Sequence, residues 1–181
     1  DTLEKILSLN ASVTAKSFSN NTNLRNIIHV HGQLGESIII GVDHPGQIRN
    51  DEFRKNEDIK DIMIKIESNE SMKETRHIDC ERLIANAEVI ILFGVSLGET
   101  DARWWKLIGQ HLKRRRNLAI IQHLYNPGAI NPIQRQKIRQ LERKQQKYLL
   151  QRMEVKMEIG DVDIRDRLFF TVNEPIFKIL P

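Results

Sequence analysis

Apolar positions along this chain come in two rhythms. Short, nearly unbroken runs stand at KILSL (5–9), NIIHVH (26–31), SIIIGV (37–42), EVIILF (88–93), NLAIIQHL (117–124), EVKMEI (154–159) and LFFTV (168–172). Runs of this length, flanked by turn formers, predict buried strands, with Gly41 marking a bulge or a close backbone approach. Between them the period lengthens. Asn50 or Asp51 caps a helix over 50–67 whose apolar positions Phe53, Ile59, Ile62, Met63 and Ile66 recur at about 3.6 residues and form one core face. Polar residues 68–76 predict a loop, and 78–86 a short helix. Residues 99–112 form a helix with Trp104, Leu107, Ile108 and Leu112 on its packed face, leaving Trp105 partly exposed. Asn131 followed by Pro132 opens a long helix to Leu150, with Ile138, Leu141 and Tyr148 as a narrow packing stripe.

Continuous apolar strands alternating with helices predict an α/β fold: a three-layer, mainly parallel sheet covered on both faces, of Rossmann-like type. At 181 residues, with 40% hydrophobic and 29% charged residues, the chain is long enough to bury a core as a single domain over 1–181. Its apolar runs fall far short of the ~20 residues of a membrane helix, and no basic-then-apolar leader opens it, so the expectation is a cytoplasmic protein with no membrane partner. One cysteine, Cys80, can form neither an internal disulfide nor a cysteine zinc site. Asp1 stands where an initiator methionine is expected and directly precedes a strand, so the sequence reads as the C-terminal part of a larger domain. Charge is uneven: residues 113–152 hold 11 Lys or Arg against Glu142 alone, a formal +10 that leaves −6 on the rest of a +4 chain.

Ligands of parallel sheets bind beyond the carboxyl ends of the strands, where loops and helix N-termini expose backbone N–H groups. Asn10, His31 and the Gly94-Val95-Ser96 turn fall there. Each alone is equally an ordinary turn former; their joint occurrence marks a candidate site. His29 and His31, two apart on a strand, share a side, but no third ligand lies nearby, and no metal site is predicted.

Three segments carry a resemblance: His31-Gly32 in HVHG, Gly41-Val42-Asp43 in IIIGVD, and FGVSLGETDARWW from Phe93 to Trp105. Together they resemble the phage abortive-infection AbiH family, with the last segment the most specific and the likeness continuing to Asn173–Phe177. That family is in turn distantly similar to sirtuins and sirtuin-like NAD hydrolases. The likeness implies a nucleotide-binding fold with NAD as substrate, and an NAD glycohydrolase-like activity. It makes His31 the general base on a ribose hydroxyl or on water, for which an imidazole with an unperturbed pKa of about 6.5 is suited. Asn10 joins it as a catalytic residue, while Ser12, Gly32, Gly94, Ser96 and Asp101 bind the nucleotide, Ser12 standing where the sirtuin pattern carries an acid. No GxGxxG-like run is present, and the lone Cys80 cannot build the zinc module of protein-deacylating sirtuins, which excludes lysine deacylation. The alternative reading is a non-catalytic module that contacts nucleic acid or an acidic protein through the basic helix 132–150 within segment 113–152.

Overall fold

A computed structural model describes residues 5–8, 26–32, 35, 37–125, 135–157 and 162–173. The chain divides into two compact units, Asp1–Leu83 and Ile84–Pro181. Among the described residues every strand pair is parallel, which makes the fold α/β as the alternation of runs predicts. Among the described residues no helix is long and apolar enough to cross a membrane.

In the first unit, strand β1 (Lys5–Ser8) lies beside β2 (Asn26–His29), with Lys5 opposite Asn26 and Ser8 opposite His29. β2 stops two residues short of its expected end because the His29 carbonyl accepts the Gly32 N–H at 3.0 Å and closes a turn. The strand expected over 37–42 does not form. Among the described residues its one bridge is parallel, from Val42 to Ile64, with Val42 N–H donating to the Met63 carbonyl at 2.8 Å and the Val42 carbonyl accepting from Lys65 N–H at 2.9 Å. Gly41 is required by this approach, since a Cβ there would lie 2.1 Å from the Met63 carbonyl oxygen.

The single helix expected over 50–67 is three short ones: α1 (Asp51–Lys55), α2 (Glu57–Met63) and α3 (Lys65–Ser71). Asn50 caps α1 as expected, its Oδ1 accepting from Glu52 and Phe53 N–H. Asn56 then takes an extended backbone and caps α2 through Ile59 N–H, and Ile64 is extended to meet Val42. A capping side chain and a β-branched residue thus divert the backbone at two places where the apolar period continues unbroken. The expected core face is lost with the register. Phe53, Ile62 and Ile66 are exposed, whereas Ile64, outside that stripe, is a buried apolar residue. Helix α4 (Arg76–Asn86) starts two residues before its expected position.

The second unit is built on a three-stranded sheet in the order β3 (Val89–Leu92), β4 (Ala119–Leu124), β5 (Leu168–Val172). Leu92 stands opposite Gln122 and Gln122 opposite Phe170. Between β3 and β4 runs a 3-10 turn (Glu99–Asp101) into helix α5 (Ala102–Arg114). Trp104, Ile108 and Leu112 are buried as the period predicts, but so is Trp105, for which partial exposure is expected. Gly109 lets α5 approach the end of helix α6 (Arg135–Arg152): a Cβ there would sit 2.3 Å from the Met153 carbonyl oxygen. The residues expected to open α6, 131–134, lie outside the described ones. Instead of a strand from 154, the chain leaves α6 through a turn with Glu154 at φ +53°, and 155–157 are irregular. A short helix α7 (Val162–Asp166) that the apolar pattern does not announce leads into β5. Arg167 fixes this corner, its Nη1 donating to the carbonyls of Leu112 (3.0 Å), Arg115 (2.7 Å) and Leu118 (3.0 Å). The two N–H groups of Nη1 are shared among the three, and two of these, Leu112 and Arg115, are helix-end carbonyls without an intrahelical partner.

Candidate site at the carboxyl edge of the three-stranded sheet

The FGVSLGETDARWW segment leaves β3 and becomes α5. Gly94 has φ +65° with open space where a Cβ would lie. Leu97 also takes a left-handed backbone, φ +52°, and its side chain is buried. A non-glycine residue held in this region stores strain of about 1–3 kcal/mol, which persists only where the surroundings over-determine it. They do so here. Trp105 Nε1 donates to the Gly98 carbonyl at 3.0 Å, and Arg152 reaches Glu99 Oε1 at 3.1 Å while its Nε donates to the Tyr148 hydroxyl at 3.0 Å. The pinned loop leaves Ser96 exposed, and Asp101 stands half-buried at the N-cap of α5. Although Gly94-Val95-Ser96-Leu97-Gly98 spells G-x-S-x-G on a strand-to-helix turn, the strained residue is Leu97 rather than the serine, unlike a nucleophile elbow.

Gly94 and Ser96 open onto a crevice of about 480 Å³ beyond the carboxyl ends of β3 and β4, the position where parallel sheets bind ligands. Its walls are Phe93 to Leu97, Gln122 to Tyr125 at the end of β4, and Leu141, Gln145 and Tyr148 of α6. The three α6 residues recur at i, i+4 and i+7, so one helical face forms that wall. Phe93 and His123 stack with ring centroids 5.1 Å apart and 27° between planes. A 3.0 Å hydrogen bond between His123 Nδ1 and Thr171 Oγ1 sets the imidazole orientation. Gln122 is buried, and its Oε1 has no hydrogen-bond partner among the described residues. The sequence pattern does not single out Gln122, His123 or Tyr125, and it marks Tyr148 only as part of a packing stripe. The available signal was a glutamine interrupting the apolar run AIIQHL two residues before the strand ends.

The other expected site residues belong to the first unit. Asn10 and Ser12 lie outside the described residues. His31 is half-buried in the turn after β2, its carbonyl accepting from Ile39 N–H at 2.9 Å. Gly32 is buried at φ +83°, and a Cβ there would lie 1.9 Å from the Ser37 carbonyl oxygen. Arg76 holds that carbonyl through Nη2 at 3.0 Å, while its Nε reaches Glu74 at 2.9 Å. Glu74 also accepts from the Ser37 hydroxyl, and this bond, followed by Arg76, holds its carboxyl below the usual carboxylate range. The His-Gly pair therefore has a backbone reason for its glycine, independent of any chemistry at His31. Asp43, which closes IIIGVD, lies 4.0 Å from Lys65 Nζ with both side chains about nine-tenths buried. Among the described residues no group of three His, Cys, Asp or Glu side chains is placed to hold a metal ion.

The class of fold is parallel α/β, and it carries a His-Gly turn, a buried Asp43–Lys65 pair and a pinned SLGETD loop. The sequence model of the bacteriophage abortive infection AbiH family matches residues 1–123, about two thirds of the chain, and the chain belongs to that family. The match ends at His123, so α6 and β5 lie beyond it. No curated protein and no solved structure matches the chain.

Proposed function

We propose that this chain serves a phage abortive-infection role by binding and hydrolysing a nucleotide of the NAD class on a Rossmann-like, sirtuin-like scaffold. The observation that carries the reading is the crevice beyond the carboxyl ends of β3 and β4, opened by the left-handed Gly94 and bordered by exposed Ser96. In this reading Gly94, Ser96 and Asp101 hold the nucleotide, and Ser12 and Gly32 are the further binding residues that the sirtuin likeness implies. His31, with Asn10, acts on the ribose side: its imidazole takes a proton from water as water adds to the ribose carbon and the bond to nicotinamide breaks. The test is NAD loss by the purified full-length protein, wild type against His31→Ala. Loss falling by ~10² to 10⁴ in rate in the variant supports the mechanism. Equal loss from both removes His31 from it, and no loss from either removes hydrolysis.

One observation favours a second reading. Arg139, Arg143 and Lys147 are exposed at four-residue spacing on α6, and among the described residues none of them forms an ion pair. That stripe suits a phosphate backbone or an acidic protein, and makes the chain a binding module without turnover.

A further inference from the structure

We infer that the crevice at β3 and β4 takes the base end of the nucleotide rather than its phosphates, and that its ligand class is a nucleobase or nucleoside recognised by Gln122 and stacked at Phe93 and His123. The inference rests on the nucleotide-binding reading above and names which part of the ligand sits here.

Three independent observations carry it. First, no lysine, arginine, aspartate or glutamate stands among the described residues that line the crevice. A phosphate site needs cations or a convergent set of backbone N–H groups, whereas a neutral aromatic wall suits a planar heterocycle. Second, the wall is prepared for stacking. Phe93 and His123 already lie 27° from coplanar, Phe93 is half-exposed, and the bond to Thr171 keeps the imidazole from turning away. Tyr125, the residue after β4, adds an aromatic ring that is 80% exposed. Third, Gln122 is 5% exposed, lines the crevice and carries a buried Oε1 with no hydrogen-bond partner among the described residues. A buried amide oxygen left unpaired is unfavourable, so a strand end that keeps one beside a cavity is suited to a ligand that donates to it. Ring N–H groups and exocyclic amines of bases are such donors, and phosphate oxygens are not. The crevice volume lies within the ~300–1,000 Å³ typical of small-molecule sites.

The experiment is calorimetric titration of the full-length protein with adenosine, AMP and ribose 5-phosphate at two salt concentrations. Adenosine binding within about tenfold of AMP, ribose 5-phosphate at least about a hundredfold weaker, and adenosine affinity insensitive to salt are expected, because stacking and one amide contact carry the recognition. Gln122→Leu should weaken adenosine about tenfold with a thermal transition no lower than that of wild type. Phe93→Ala, at a half-exposed position, should do likewise and serves where the Gln122 variant disturbs folding. Ribose 5-phosphate binding as tightly as AMP overturns the base assignment while leaving a nucleotide site in place. Failure of adenosine to bind also overturns it, and NAD loss with His31→Ala then decides the nucleotide reading separately.

Discussion

Trp105 donates its indole N–H to the Gly98 carbonyl at 3.0 Å, tying the body of α5 to the loop that precedes it. The same side chain is 2% exposed, so one residue fills the core and anchors the rim of the crevice. Trp105→Phe keeps most of the buried ring and removes the bond. It should lower unfolding free energy by about 1–2 kcal/mol, measured by urea titration with an unchanged slope, and weaken ligand binding at the loop it releases. A variant as stable as wild type would show that the indole N–H does not hold the loop.

Two glycines with similar backbones should respond differently to alanine. At Gly32 the left-handed φ costs ~1–2 kcal/mol, and collision with the Ser37 carbonyl adds ~1–3 kcal/mol. At Gly94 only the backbone term applies, because nothing lies within 4 Å of the new methyl. Gly32→Ala should therefore lose ~1–3 kcal/mol more stability than Gly94→Ala in denaturant unfolding. Equal losses would mean that the Ser37 segment yields freely.

Burial, reinforced by Asp79 and Glu81, pushes the Cys80 thiol up from 9.0 to about 12. The native thiol should resist iodoacetamide at pH 8 until the chain is unfolded, since the thiolate is the reactive form. The native state holds its proton where the unfolded state has released it, so the stabilising contribution is complete below pH 9 and is lost as pH rises from 9 towards 12. Cys80→Ala should flatten that part of the stability curve relative to wild type. Rapid alkylation of the native protein, or identical alkaline slopes, would contradict the buried thiol.

The basic stripe of α6 is testable by salt. If Arg139, Arg143 and Lys147 contact a duplex, log affinity falls linearly with log salt at ~0.9 per phosphate neutralised, and changing the three to Gln reduces the slope. Fluorescence anisotropy with duplex DNA across a salt series checks this. No binding at low salt, or an unchanged slope, would leave the stripe as a solvated face.

Where burial and period coincide, the elements were legible: β3, α5, β4, α6 and β5 stand within a few residues of their expected places. Where a local polar group competes, they were not. Asn56 and Ile64 cut one apolar period into three helices, because a side-chain cap and a single bridge to Val42 outweigh continuity of the helix. The expected strand at 37–42 failed for the same long-range reason: Val42 is 22 residues from its partner Ile64, a separation that no local window contains. Of the site, Gly94 and Ser96 were legible as turn residues after a strand, and both line the crevice. Gln122 and His123 were hidden inside an apolar run.

By itself the sequence determined the class of fold, because continuous apolar strands separated by helical periods can bury both faces of a sheet only when the strands run parallel. Its three motifs also carried the family. Tertiary structure alone decided what those motifs do for the backbone: Gly32 yields space to Ser37, Gly41 to Met63, Asp43 meets Lys65, and Gly98 accepts from Trp105. It alone placed Leu141, Gln145 and Tyr148 of α6 against the ends of β3 and β4. Periodicity records which side chains leave water, one element at a time. Which polar atoms then face one another depends on pairings between residues far apart in the chain, and those exist only once the elements have packed.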